Sequence, residues 1–187
     1  MARCYSAGMA KCHPVPVLSS AIPRLLLLGD ARNDAGLERA IARLPRGSGF
    51  VFRHYHLPPA ARRERFRALA RLCRSRGIAV IAARPQPGWR IDGIYAAPAD
   101  LGGTGLRLAT AHSLRELREA AAARADAVLL SPVFATRSHP GGKALGPVRF
   151  LLLARQSSLP VLALGGMTPR RAARLPVHGW AAIDGIT

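Results

Sequence analysis

From Arg24 onward, short apolar runs alternate with longer stretches in which apolar residues recur every three or four positions. The short runs predict strands at Leu25–Gly29, Gly49–Tyr55, Ile78–Ala83, Gly93–Ala96, Leu106–Thr110, Ala127–Ser131, Val161–Leu164 and Trp180–Ile183. Because they are apolar at nearly every position, they suit parallel strands covered on both faces. Four of the longer stretches predict helices. Leu37–Leu44 follows DARNDAG, whose Asp and Asn residues are N-cap candidates. Pro59–Arg76 places Phe66, Leu69, Ala70 and Cys73 on one face, with Arg62, Arg63, Arg67, Arg71 and Arg74 mostly off it. Ser113–Ala123 begins Ser-Leu-Arg-Glu, a capping box, and Thr168–Leu175 carries Pro169 in its first turn. Gly146–Ser157 adds a fifth helix. The connections Arg84–Arg90 and Pro98–Gly105 are too short for full helices.

Eight strands in repeated β/α order predict an α/β fold, a compact (βα)₈ TIM-type barrel over residues 23–187. Its last helix is missing, and the helices after strands three and four are short or absent. Residues 1–22 read as a loose N-terminal extension, with Met9 an alternative start. The competing architecture is an open doubly wound sheet. No glycine fingerprint follows Leu25–Gly29, which weighs against a dinucleotide site.

Composition narrows the class. With 187 residues, 49% hydrophobic and 20% charged, the chain reads as one globular domain. A domain of this size buries roughly 70% of its unfolded surface and needs no disulfide or metal staple. Cys4, Cys12 and Cys73 form an odd, scattered set, which fits a reducing, cytoplasmic setting. Neither they nor His13, His54, His56 and His178 have metal-site spacing. No apolar run approaches the ~20 residues that span a bilayer, and no secretory h-region opens the chain.

The net charge of +18 raises the question of nucleic acid. Of the 28 basic residues only Lys11 and Lys143 are lysine, and the arginines are dispersed among 5% aromatics. That pattern lacks a stacking platform or basic block and argues against a nucleic-acid partner. The positive field suits small phosphates and diphosphates instead. The sequence leaves a homo-oligomer open.

In a barrel the loops after the strands share one mouth. Those positions hold Asp30, Arg53 with His54, Arg84, Asp100, Thr110 with His112, Ser131 to His139, Gly165 with Gly166, and Asp184. The Ala163–Thr168 segment, ALGGMT, joins a strand to a helix through two glycines, a turn through which backbone N–H groups approach a phosphate closely. A tight turn that requires positive φ reads equally well. The loop SPVFATRSHPGGKALG supplies Thr136, Arg137, Ser138, His139 and Lys143, hydroxyls beside cations that suit phosphate; an ordinary surface loop is the alternative.

These segments resemble the thiamine phosphate synthase/TenI family. Ser131-Pro-Val-Phe-Ala-Thr-Arg-Ser-His139 is similar to that family's G-P-x-F-x-T-x-T-K loop, and Leu162-Ala-Leu-Gly-Gly-Met167 to its phosphate-binding turn. Asp92-Gly-Ile-Tyr95, Thr110-Ala-His112-Ser113 and Val51-Phe-Arg53 are similar to D-G-V-H, S-x-H-S and Q-L-R. The resemblance spans about Arg24 to Ile186. It implies a synthase that joins hydroxymethylpyrimidine diphosphate to a thiazole phosphate and releases pyrophosphate. It further implies Mg²⁺ held by two aspartates, of which Asp100 occupies one position. Arg53 would contact the pyrimidine diphosphate, and Thr136, Ser138 and His139 the phosphates or the thiazole. Thr110 would join the substrate wall, with the thiazole phosphate on Gly165 and Gly166.

The chain departs from the pattern in places. Ala82-Ala83 stand where the family has Asn-Asp, Pro98 replaces a Gln, His139 replaces a Lys, and Asp184 falls at a small-residue position. TenI-type relatives tautomerise a thiazole phosphate with a histidine after strand five, where His112 sits. A general base near neutrality suits imidazole; a helix-capping role reads equally well. A tautomerase and a non-catalytic phosphate-binding barrel are therefore the alternatives to the synthase.

Overall fold

Eight short parallel strands close on themselves in chain order: β1 (Leu25–Gly29), β2 (Gly49–Phe52), β3 (Ala79–Ala82), β4 (Gly93–Ala96), β5 (Leu106–Ala111), β6 (Ala127–Leu130), β7 (Val161–Ala163) and β8 (Gly179–Ala182). A computed structural model describes residues 21–136, 143–184 and 186. β1 pairs with β2 through Leu26 opposite Gly49, and with β8 through Leu25 opposite Trp180, which makes the barrel closed rather than doubly wound. Five helices lie among the described residues: α1 (Leu37–Arg43), α2 (Pro59–Ser75), α3 (Leu114–Ala122), α4 (Gly146–Ala154) and α5 (Pro169–Ala172).

Successive side chains of a strand point to opposite faces, so each strand feeds two cores. Leu26, Leu28, Val51, Ile81, Tyr95, Leu108, Leu129, Leu162 and Ala181 fill the barrel. Leu27, Phe50, Phe52 and Val80 point outward onto α1 and α2, and Ala109, Val128, Leu130 and Val161 onto the α3–α4 side. Such double coverage explains why the runs read as continuously apolar. Ile22 also packs against the interior cluster and its carbonyl accepts from His178 Nε2 at 3.0 Å, so the barrel floor reaches into the segment expected to be loose. Residues 1–20 of that segment lie outside the described residues.

The two short connections are covered by side chains instead of helices. Between β3 and β4, Trp89 stacks on Phe66 of α2 at 3.9 Å and meets Phe52 edge-on at 5.5 Å. Arg62, placed off the apolar face of α2 by its charge, is in fact buried. It precedes Phe66 by one turn and so shares its face. Its guanidinium donates to the carbonyls of Ala83 at 2.7 Å and Arg84 at 2.9 Å, the backbone acceptors left beyond β3. After β4 only the 3₁₀ turn Pro98–Asp100 forms. There Arg107 of β5 donates to the Leu101 and Ala123 carbonyls at 2.8 and 2.7 Å. α5 is shorter than its pattern, one turn capped by Thr168 Oγ1. No helix among the described residues is long and apolar enough to cross a membrane.

Candidate functional site at the barrel mouth

A cavity of about 570 Å³ opens at the carboxyl ends of the strands. Asn33 fixes the seam beside it. Its Nδ2 donates to the Leu28 and Ile183 carbonyls, at 2.9 and 2.8 Å, and so ties the end of β1 to the residue after β8.

Arg53 reaches the cavity wall from the end of β2. Asp30 accepts from it at 2.5 Å, and from the backbone and side chain of Arg32 at 3.0 Å each. Burial would raise the Asp30 carboxyl, but the hydrogen bonds from Arg32 and the Arg53 charge outweigh it and hold the group below its ordinary value. The Arg53 Nε is buried without a protein partner among the described residues. Tyr95, inside β4, forms the floor beside it. Burial pushes its phenol up to about 12 against the pull of Arg53, so it stays neutral.

β5 contributes Thr110 and, one residue past its end, His112. The His112 ring is largely exposed and its Nδ1 lies 2.9 Å from Glu116 Oε2. The same oxygen accepts the His112 backbone N–H at 2.8 Å, and Ser113 Oγ caps the Glu116 N–H at 3.2 Å. Burial tends to raise Glu116, yet the hydrogen bonds from His112 and Ser113 win and lower it. The capping box was legible in the sequence; its contact with the imidazole was not.

Opposite Arg53, the loop after β6 packs on the turn after β7. Val133 N–H donates to Leu164 O at 2.9 Å and Phe134 N–H to Gly165 O at 3.1 Å. Gly165 and Gly166 have φ of +98° and +60°. A Cβ on Gly165 would come within 2.7 Å of Pro132 Cα, and one on Gly166 within 2.7 Å of the Ala135 carbonyl. Glycine is thus required here both for conformation and for space. Thr136, Lys143 and Arg171 complete this wall. Arg171, absent from the motifs that the sequence displays, donates to Gly166 O, with its guanidinium 4.3 Å from the Phe134 ring centroid. The signal available for it was its place in the first turn after the glycine pair. Ser138 and His139 lie outside the described residues, as does Arg137.

The cavity therefore brings together Arg53, Thr110, His112, Thr136, Gly165 and Gly166 from four segments. Among its described lining residues, three cations (Arg53, Lys143 and Arg171) accompany one carboxylate, Asp184. An anionic ligand suits that balance. Other mouth residues turn away. His54 is fully buried, stacks on Phe52 at 4.4 Å and bonds Asp34 at 2.9 Å; Arg84 lies 5.3 Å over Tyr55.

Magnesium, implied by the resemblance, meets an unfavourable donor set. Asp100 is exposed on its 3₁₀ turn and does not line the cavity. Ala82 and Ala83 are buried methyl groups, and Asp30 is occupied by two arginines. Among the described residues no group of three or more His, Cys, Asp or Glu side chains is assembled to hold a metal ion. Hard cations need several oxygen ligands, and these residues do not fit one.

Comparison with known proteins points to one family. Residues 105–186, which carry β5 to β8, match the family model described as thiamine monophosphate synthase (TMP-TENI). A protein of Aquifex aeolicus (strain VF5) named "Putative thiamine-phosphate synthase 2" is 35% identical over 78 residues. That match covers 42% of this chain and 42% of the relative, less than half of either. A solved structure titled thiamine phosphate pyrophosphorylase, from Pyrococcus furiosus, superposes with a TM-score of 0.67 over 84% of each chain. At 18% identity it shares the barrel fold.

Proposed function

We propose that this chain, whose residues 105–186 match the thiamine monophosphate synthase family model, binds a thiazole phosphate and isomerises it by proton transfer through His112, without a metal. One observation carries the reading. An imidazole stands on the cavity wall, while the expected metal-ligand position is the buried methyl group of Ala83. In the proposed pose the phosphate sits against Gly165 and Gly166 with Lys143 and Arg171, and the heterocycle lies over Tyr95 toward Arg53. His112 takes a proton from one carbon and returns it to another. The product is an isomer of the substrate, so no co-reactant is consumed. Positioned acid–base groups of this kind contribute about 10²- to 10⁴-fold to rate. The buried free thiol Cys73 supports a reducing, cytoplasmic setting.

A second reading, synthase coupling of the thiazole phosphate to hydroxymethylpyrimidine diphosphate, is supported by the names of both relatives. His112→Ala separates the two. The isomerase reading expects loss of isomerisation with ligand affinity kept within about threefold, because the imidazole acts on the proton rather than on the phosphate. A variant that isomerises as fast as the wild type removes His112 from the reaction. Thiamine phosphate formed from both substrates with Mg²⁺ would favour the synthase.

A further inference from the structure

We infer that Glu116 is a positioning residue for His112: it holds the imidazole in the Nδ1–H tautomer and leaves Nε2 as the unprotonated nitrogen available at the cavity. The inference rests on the proposed role of His112 and extends it to a residue with no ligand contact of its own.

In an ordinary capping box the carboxylate three residues into the helix returns to the N–H of the capping residue. Here the cap is Ser113, yet Glu116 reaches one residue further back, to the His112 N–H at 2.8 Å. That single-residue shift brings Oε2 to 2.9 Å from Nδ1, so one oxygen receives both donors of the same residue. The other oxygen, Oε1, lies 3.4 Å from Ser113 Oγ, and Ser113 Oγ accepts the Glu116 N–H at 3.2 Å. An exposed His–Glu pair held by charge alone would be worth little. This one is anchored by the backbone at both ends, so its geometry does not depend on the strength of the pair.

The chemistry follows from the acceptor. An ionised carboxylate has no proton to give, and against the opposing effect of burial the hydrogen bonds from His112 and Ser113 keep Glu116 below the usual carboxylate range. Nδ1 must therefore carry the hydrogen, and the second nitrogen of a neutral imidazole is then a lone-pair base. When Nε2 takes a proton from the ligand, the carboxylate beside Nδ1 stabilises the resulting imidazolium. It stays ionised throughout, as the orienting partner in such pairs does.

Ring ¹⁵N spectroscopy on the ligand-free full chain tests this without any turnover. Spectra are recorded well above the ordinary histidine titration range, with the His112 signal assigned by its loss in His112→Ala. The wild type is expected to show the Nδ1–H tautomer alone, and Glu116→Ala a mixture. Its kcat for isomerisation is expected to fall about 10- to 100-fold with KM within about twofold. If Glu116→Ala fails to fold, Glu116→Gln keeps a capping side chain and is expected to show the mixture and a smaller loss of kcat. Ser113→Ala, which removes the cap but keeps the carboxylate, is expected to retain the wild-type tautomer. A pure Nδ1–H signal in Glu116→Ala or Glu116→Gln overturns the inference. A wild type that isomerises nothing, yet changes tautomer with Glu116, supports the positioning and removes only the proposed reaction.

Discussion

Arg53 Nη2 donates to Asp30 Oδ2 at 2.5 Å across the adjacent strands β1 and β2, which sets the guanidinium against the cavity wall before any ligand arrives. Preorganisation of this kind spares a ligand the cost of ordering a long side chain. Asp30→Asn keeps the shape and removes the charge. Titration calorimetry with a thiazole phosphate is expected to show roughly tenfold weaker binding, with the thermal midpoint little changed. Unchanged affinity would mean that Arg53 does not meet the ligand.

Acid sensitivity is expected in two separate windows. Burial lowers the His54 pKa, against the opposing hydrogen bond to Asp34. The unfolded chain then binds more protons than the folded one, so stability rises with pH. His54's contribution is complete above the unfolded value near ~6.5 and is lost as pH falls below it. The lowered carboxylates Asp30, Asp34, Glu38 and Glu116 contribute fully above their unfolded values near ~4, and that contribution is lost only at lower pH. Urea midpoints should fall between about pH 7 and 5, then again below about 4. His54→Asn, a residue that tolerates the +23° φ there, should flatten the first fall and leave the second. A first fall of undiminished size would assign it elsewhere.

Arg62 is the price of omitting a helix. Arg62→Met keeps the bulk over Phe52 and Trp89 but strands the Ala83 and Arg84 carbonyls. Each buried unsatisfied group costs about 1–3 kcal/mol, so about 3 kcal/mol of stability should be lost in denaturant unfolding. A loss below about 0.5 kcal/mol would show that water replaces the guanidinium there.

Gly165→Ala places a methyl group against Pro132 at a φ of +98°. The backbone strain alone costs about 1–3 kcal/mol, and relief requires the β6 loop to move off the turn. Binding of inorganic phosphate, followed by ³¹P line broadening, should weaken at least about tenfold if that turn holds the phosphate. Equal binding by the variant would place the phosphate elsewhere in the mouth.

What was legible in the sequence was whatever depends on local pattern. β1 and β4 coincide with their apolar runs because their flanks, Asp30 and Asp92, break the pattern sharply. β2 ends three residues before its strand-like run Gly49–Tyr55 does, because Arg53 and His54 leave the sheet to meet Asp30 and Asp34. The gathering of Arg53, Thr110, His112, Thr136, Gly165 and Gly166 at one cavity follows from barrel topology, which repeated β/α order announces. The burial of Arg62 is not legible in its helix pattern, because burial of a charge depends on which carbonyls lie across from it, and these come 21 and 22 residues later. Glu116's grip on His112 was hidden within a motif whose usual reading is purely structural.

The central claim is metal-free proton transfer at His112. The most direct measurement is isomerisation of a thiazole phosphate in deuterium oxide with excess EDTA, followed by NMR. Turnover is expected at the same rate with and without Mg²⁺, with solvent deuterium appearing in the product. Isomerisation that vanishes in EDTA, or no isomerisation alongside Mg²⁺-dependent formation of thiamine phosphate, would contradict it.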